Sequence, residues 1–286
     1  MLKVLEREPP RNIPPALDVL SSKDIQAGIT TPIFGRTIHC LDRIDSTNLF
    51  ARRLAGAGAP EGEIVFAEEQ TQGRGRLGRS WFSPRHLNLY FSLLLRPAFA
   101  PAQACQITLM AAVALAESLE AVLGEAPEIK WPNDILVAGR KLAGILTESA
   151  CEGTRIRFVI VGIGVNVNVP LASMPEPVRA RATSLIEKTG RRWERARLAG
   201  LLIQGLERCY KDLTEKGFQE MATRWERYFR LKGTEVEVRM LNQVLRGTAM
   251  GIDAEGALIV RDPAGAMQRV LAGDVLPITQ AHAVSD

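Results

Sequence analysis

From Asn88 to Ala116 the chain carries a single charge, Arg96. No other feature constrains the fold as much, because so long an uncharged run has to be covered. Its two halves differ. Residues 88–95 are short and almost wholly apolar, the pattern of a strand buried on both faces. Residues 97–116 match a membrane-spanning helix in length. Pro97, Pro101, Gln103, Gln106 and Thr108 crowd the first half, however, and small alanines fill much of the rest. The expectation is a buried core helix over residues 102–123, stopped at Gly124, and no membrane.

At 286 residues, 46% hydrophobic and 24% charged, the chain can build one large domain and a small one. A net charge of +4 is too mild for a dedicated nucleic-acid binder but suits an enzyme that handles anions. Cys40, Cys105, Cys151 and Cys209 are scattered, which points to reduced thiols in the cytoplasm rather than a disulfide framework or zinc site. His39, His86 and His282 make no metal-ligand spacing. The first ten residues are charged throughout and are no secretion signal.

Five prolines in residues 1–35 read as an extended, weakly ordered arm with a short helix near residues 22–27. Strands are expected over 36–45, 62–68 and 155–161, and a hairpin pairs 135–137 with 141–149 around Ala138, Gly139 and Arg140. Helices are expected over 49–55, 194–213 and 218–229. After Gly233 the pattern changes to short strands at 234–240, 243–252, 257–261 and 268–271, a small all-β barrel. The whole lacks regular βαβ alternation and reads as α+β: a mixed sheet with flanking helices, then the barrel.

Four polar clusters fall at strand ends or loops. Asp45, Ser46, Thr47 and Asn48 are all good helix N-caps, and are open to a simple capping role or to a place in a pocket. Residues 71–79 alternate Gly73, Gly75 and Gly78 with Arg74, Arg76 and Arg79, a mobile loop suited to closing over an anion or a solvated basic turn. Lys130 and Lys141 offer point charges for a developing oxyanion, and Asp134 suits a cationic or metal-bound partner. In the fourth cluster, residues 162–168, Asn166 can read an amide-like edge such as a nucleobase. Gly162 and Gly164 are open to a simple packing role, Asn168 to holding a turn, Trp131 to the core and Lys130 to an ion pair. With no Ser–His or Cys–His dyad and no Walker A loop in the sequence, chemistry here has to work by positioning and charge neutralisation.

Taken in order, these clusters resemble biotin–protein ligases. The segments are Asp45 to Asn48, Gln70 with Gly73 to Arg79, Trp81 to Pro84, Lys130 to Asp134, Arg140 to Leu146, and Gly162 to Asn168. Together they span residues 36–168, and the barrel resembles the family's SH3-like end domain. The resemblance implies a catalytic domain over 36–232 of the class II aminoacyl-tRNA synthetase-like, biotin–lipoate ligase type, preceded by an arm over 1–35 and followed by an end domain over 233–286. It implies two steps. The biotin carboxylate attacks the α-phosphate of ATP, giving biotinyl-5′-AMP and pyrophosphate. A lysine of a biotin carboxyl carrier protein then takes the acyl group and releases AMP.

Carried over by residue, Ser46, Thr47 and Asn48 match the biotin-contact motif, and Gln70 the glutamine beside the ligand. Arg74, Gly75 and Arg76 match the biotin- and phosphate-binding loop, with Arg79 at its rim. Trp81 matches the wall along the aliphatic tail, Lys141 the essential lysine near carboxylate and α-phosphate, and Gly144 to Leu146 the strand whose backbone meets the ureido head. Lys130, Asn133 and Asn166 fall on the ATP side, and Asp134 is the candidate to support Mg²⁺ on the phosphates. The implied substrates are biotin and ATP with Mg²⁺, with no tightly bound cofactor and no metal held by the protein alone.

Two departures stand out. Leu77 replaces an arginine common in the family's loop. Residues 20–36 resemble the linker that follows a winged helix in repressor-type members, but the 35 residues before the first strand are too few for that domain, so no DNA partner is expected. The rival readings are a biotin-responsive repressor and a lipoate or octanoate ligase. An exposed sheet edge leaves a homodimer open.

Overall fold

A computed structural model describes residues 18–278. Most of the expected N-terminal arm, the last eight residues of the expected end domain and His282 lie outside the described residues.

In chain order the elements begin α1 (Ser22–Ala27), β1 (Ile38–Ile44), α2 (Thr47–Gly56), β2 (Ile64–Gln70), β3 (Leu89–Leu95) and α3 (Ala104–Leu123). There follow β4 (Glu128–Lys130), β5 (Asp134–Val137), β6 (Arg140–Glu152) and β7 (Arg155–Val165). Helices α4 (Glu176–Arg179), α5 (Leu185–Thr189), α6 (Arg195–Lys216) and α7 (Phe218–Glu226) lead to the final strands. These are β8 (Glu235–Arg239), β9 (Val244–Ile252), β10 (Leu258–Arg261), β11 (Met267–Val270) and β12 (Asp274–Pro277).

The larger sheet runs β1-β2-β3-β7-β6-β5-β4. Only β1 and β2 are parallel, and α2 supplies the crossover that a parallel pair requires. All seven residues of β3 are buried, as its composition demands. Helix α3 has the length and composition of a membrane span, yet twelve of its twenty residues are buried, Gln106 and Ser118 among them. It packs on α6, α7 and the sheet, so it is a core helix.

The two faces of β7 explain where a site can form. Val159, Val161, Ile163 and Val165 face the main core. On the other face Phe158 and Ile160 pack in a separate cluster with Ala51 and Ala55 of α2, and Gly162 and Gly164 follow at the same two-residue period. The sheet is covered where side chains are large and bare where they are glycine.

The smaller sheet is antiparallel in the order β11-β10-β9-β8-β12. Its 253–256 turn docks on the larger sheet's helices. Trp131 Nε1 donates to the Gly256 carbonyl at 3.3 Å, and a Cβ on Gly256 would stand 2.7 Å from Leu109 Cδ1. Trp131 is thus a core residue, 2% exposed.

Three features depart from the sequence expectations. Residues 162–165 continue β7 instead of forming a loop. Helices α4 and α5 were not foreseen, nor was β12, which pairs with β8. Strand β12 is only four residues long and ends at Pro277, too short for its own period to show.

Candidate active site

The cleft, about 420 Å³ of open space, lies on the glycine face of β6 and β7 beneath the 71–79 loop. Gly144, Leu146, Gly162 and Gly164 form its floor, and Thr47, Gln70, Arg74, Arg76, Trp81 and Lys141 stand around it. Gly164 is bare because Trp81 lies there: a Cβ would fall 2.5 Å from Trp81 Cε2. Gly162 makes room for Asn48 in the same way, its Cβ falling 2.0 Å from Asn48 Oδ1. The packing role open to these two glycines is therefore how the cleft is made.

Lys141 reaches the cleft through a β-bulge. The pairing of β5 with β6 slips so that Ile135 faces Ala143 but Leu136 faces Lys141. Leu142 and Ala143 both turn into the core, and the alternation resumes with Lys141 on the face of Gly144. Lys141 Nζ then sits 2.7 Å from Asp134 Oδ1 and 5.1 Å from the centre of the Trp81 ring. The lysine backbone is fixed from outside the sheet, donating to the Arg181 carbonyl at 2.8 Å and accepting from Thr183 N at 2.9 Å. The unforeseen segment leading to α5 therefore buttresses this lysine.

The 71–79 loop is a small hairpin: Arg74 bridges Ser80, and Gly75 N donates to the Arg79 carbonyl at 2.7 Å. Its tip is Leu77, 61% exposed with a φ of 56° in the left-handed region. Arg76 points inward, giving Nη1 to Asn133 Oδ1 at 2.8 Å and Nη2 to the Gly273 carbonyl at 3.2 Å. Burial pushes the Arg76 guanidinium's pKa down, against the pull of Asp134 and Asp274. Its hydrogen-bond partners are neutral, whereas Arg74, Arg79, Lys130 and Lys141 each pair with a carboxylate.

Behind the floor, Ser46 is the N-cap of α2 but makes no side-chain cap bond. Thr47 and Asn48 turn to the sheet instead. Gln70 Oε1 accepts from Thr47 N at 2.9 Å, and Ser92 Oγ donates to Asn48 Oδ1 at 2.6 Å. Asn166 does not line the cleft. Its amide is used on the carbonyls of Thr183 at 3.0 Å and Lys141 at 3.5 Å, so here it holds the lysine's strand. Asn168 binds Trp193 through both its oxygen and its nitrogen. Lys130 lies outside the lining and is ion-paired to Asp274 at 2.8 Å. Among the described residues no group of three or more His, Cys, Asp or Glu is placed to hold a metal ion.

Sequence reasoning missed Ser92, Glu148 and Asp274. Ser92 was visible as the one small polar residue in the apolar run of β3. Glu148 shares the two-residue period of Gly144 and Leu146. Asp274 had no local signal.

Fold and site define an α+β protein whose cationic loop lies over a glycine-floored cleft. The family model of the biotin/lipoate A/B protein ligase family matches residues 40–166, and that of the biotin protein ligase C terminal domain matches 233–276. The chain is 39% identical over 256 residues to the bifunctional ligase/repressor BirA of Bacillus spizizenii, covering 90% of this chain and 78% of that one. It is 38% identical to the biotin–[acetyl-CoA-carboxylase] ligase of Paracoccus denitrificans over 79% of this chain and 94% of that one. The biotin protein ligase of Aquifex aeolicus, solved with biotin and ATP, superposes with a TM-score of 0.72 at 30% identity, covering 84% of this chain and 98% of that one. The chain belongs to the biotin protein ligase family.

Proposed function

We propose that this protein activates biotin with ATP and transfers the biotinyl group to a lysine of a biotin carboxyl carrier protein. The observation that carries the reading is the convergence of Lys141, Trp81 and Arg76 over a floor stripped to glycine. A flat bicyclic head with an aliphatic tail fits such a slot. A carboxylate and a phosphate require two cations from different elements.

In the first step a carboxylate oxygen of biotin bonds to the α-phosphorus and the bond to the β-phosphate oxygen breaks, releasing pyrophosphate. Lys141 Nζ offsets the charge shared between carboxylate and α-phosphate. Asp134 holds that ammonium in place, which is the role its 2.7 Å contact supports first. Mg²⁺ enters with ATP as part of the substrate. Arg76 meets the phosphates, and Arg74 and Gly75 close over the anhydride and keep water from it. In the second step a neutral carrier amine attacks the acyl carbon, AMP leaves with the bonding pair, and the amine's proton is lost. Thr47 and Gln70 with the backbone of Gly144 and Leu146 fit the polar head, Asn48 supports them from behind through the Leu146 carbonyl, and Trp81 fits the tail. Asn133, Lys130 and Arg79 hold the loop and nucleotide side together. Asn166 serves through the strand of Lys141 that it fixes, and Ser46 only begins α2. The larger sheet ends on β1 and β4; Ile129 N of β4 already donates to the Tyr228 carbonyl at 2.9 Å, so β1 is the edge suited to the carrier or a second copy.

The test is ATP–pyrophosphate exchange with biotin, lipoate or octanoate supplied singly. Exchange that depends on biotin supports the reading, and exchange driven only by lipoate or octanoate overturns it. Lys141→Ala is expected to lose ~100-fold or more in rate.

A further inference from the structure

Glu148 is absent from the chemistry above, yet it meets both sides of the cleft. It lies on β6, two residues beyond the floor residue Leu146, with its side chain 24% exposed. Its carboxylate is held from one side by α2. Asn48 Nδ2 donates to Oε2 at 2.7 Å and to the Leu146 carbonyl at 3.1 Å. Asn48 is itself held, since Ser92 Oγ donates to its Oδ1 at 2.6 Å. The carboxylate is thus fixed in orientation by a chain of bonds from β3 through α2. What it presents to the open side is a pair of oxygens, and Arg74 Nη2 takes both at 3.2 Å.

We infer that Glu148 is a positioning residue: it fixes Arg74, and through it the first arm of the 71–79 hairpin, over the biotin end of the cleft. The inference rests on the biotin-activation reading for what the cleft binds. Three observations carry it. Glu148 does not line the cleft, whereas Arg74 does, so it acts through the arginine. Arg74 is at the base of the hairpin, where it bridges Ser80, so holding it sets the angle of the whole arm. The oxygens are occupied by Asn48 and Arg74, so Glu148 orients its partners rather than offering a contact to substrate. The tip and the opposite arm are tied elsewhere, Arg76 to Asn133 and the Gly273 carbonyl and Arg79 to Asp274 at 2.9 Å, so the loss of Glu148 releases only the base of the first arm. Loss of a charge-assisted contact at a half-exposed pair loosens that arm without unfolding the sheet.

The experiment uses Glu148→Gln, which keeps the size of the side chain and removes its charge. In the ligand-free protein, trypsin is expected to cut after Arg74 ~10-fold faster in the variant. An unchanged rate there overturns the inference whatever the substrate of the cleft. In biotin-dependent exchange, the KM for biotin is expected to rise ~10-fold with kcat changed little, the pattern of lost uniform binding. A fall in kcat with unchanged KM overturns it. Introduced into an Arg74→Gln background, Glu148→Gln is expected to raise KM by much less than in the wild type; an equal rise in both backgrounds also overturns it. A wild type without biotin-dependent exchange sinks the functional reading instead, and the trypsin comparison still decides the role of Glu148.

Discussion

Asp274 Oδ2 accepts from Arg79 Nη2 at 2.9 Å, and its Oδ1 stands 2.8 Å from Lys130 Nζ. One carboxylate of the smaller sheet therefore ties down two cations of the larger domain, one in the 71–79 loop and one in the sheet. Next to it, the Gly273 carbonyl holds Arg76. The smaller sheet is in this way the far anchor of the loop.

Burial pushes the Asp274 carboxyl up, but Lys130 and then Arg79 outweigh it and hold it below its usual 3.8. With the folded pKa below the unfolded one, the stabilisation is complete above the unfolded value and fades as pH falls through the folded value. Asp274→Asn is expected to cost about 2 kcal/mol at neutral pH, between the worth of exposed and buried pairs. Urea unfolding at neutral pH and at several values below pH 3.8 checks the sign: the gap between wild type and variant narrows in acid. A gap that stays constant contradicts the assignment.

Gly164→Ala places a methyl 2.5 Å from Trp81 Cε2. Trp81 sits just beyond the loop and can shift, so the main effect falls on the cleft and not on the fold. The KM for biotin is expected to rise ~10-fold while stability falls by about 1 kcal/mol, the low end for overpacking. Gly56→Ala, at the end of α2 with nothing within 4 Å of its added Cβ, is the control: exchange is unchanged and the urea midpoint does not fall. Equal behaviour of the two variants would remove the reason for a bare strand.

Lys141→Arg keeps a positive charge but widens it into a planar fork. Asp134 is 2.7 Å from Nζ, and Trp81 together with the bare Gly144 leaves little width beside the lysine stem. Arginine is no conservative replacement in such a slot. Single-turnover formation of biotinyl-AMP is expected to slow ~100-fold. A rate near wild type would show that charge alone suffices, without position.

Arg195 has no exposed surface, and its guanidinium holds both oxygens of Glu68, at 2.7 and 3.2 Å. It also donates to the Asn88 carbonyl at 3.1 Å, and Glu68 in turn accepts from Leu20 N at 2.7 Å. Glu68→Ala leaves that buried charge without its main partner. The expected cost is about 3–5 kcal/mol by urea unfolding, far above a surface pair. A loss below 1 kcal/mol would mean that the Asp18 contact carries the arginine instead.

Local composition was enough for the elements whose burial leaves no choice. The uncharged run from Asn88 to Ala116 had to become a core strand and a core helix, because nothing else covers it. Ala138 and Gly139, with φ of 49° and 72°, make the tight turn that their place between two apolar runs announced. Gly78 of the 71–79 loop and the Gly124 stop of α3, with φ of 73° and 75°, were legible for the same reason: each is a statement about its own backbone. The polar clusters, too, were visible as clusters, although which of their members face the cleft was not.

What the tertiary structure decided are relations between distant segments. Gly162 and Gly164 read as a loop until Asn48 and Trp81 come to lie on them. The bulge at Leu142 depends on pairing with β5, and only that pairing turns Lys141 toward Asp134. Glu148 and Asp274 look like ordinary surface acids along the chain, since the arginines that give them meaning are 74 and 195 residues away. Sequence patterns report the burial and backbone preference of each residue; a partner across the fold leaves no trace in that local record, because long-range pairing is set by packing geometry and not by neighbours in the chain.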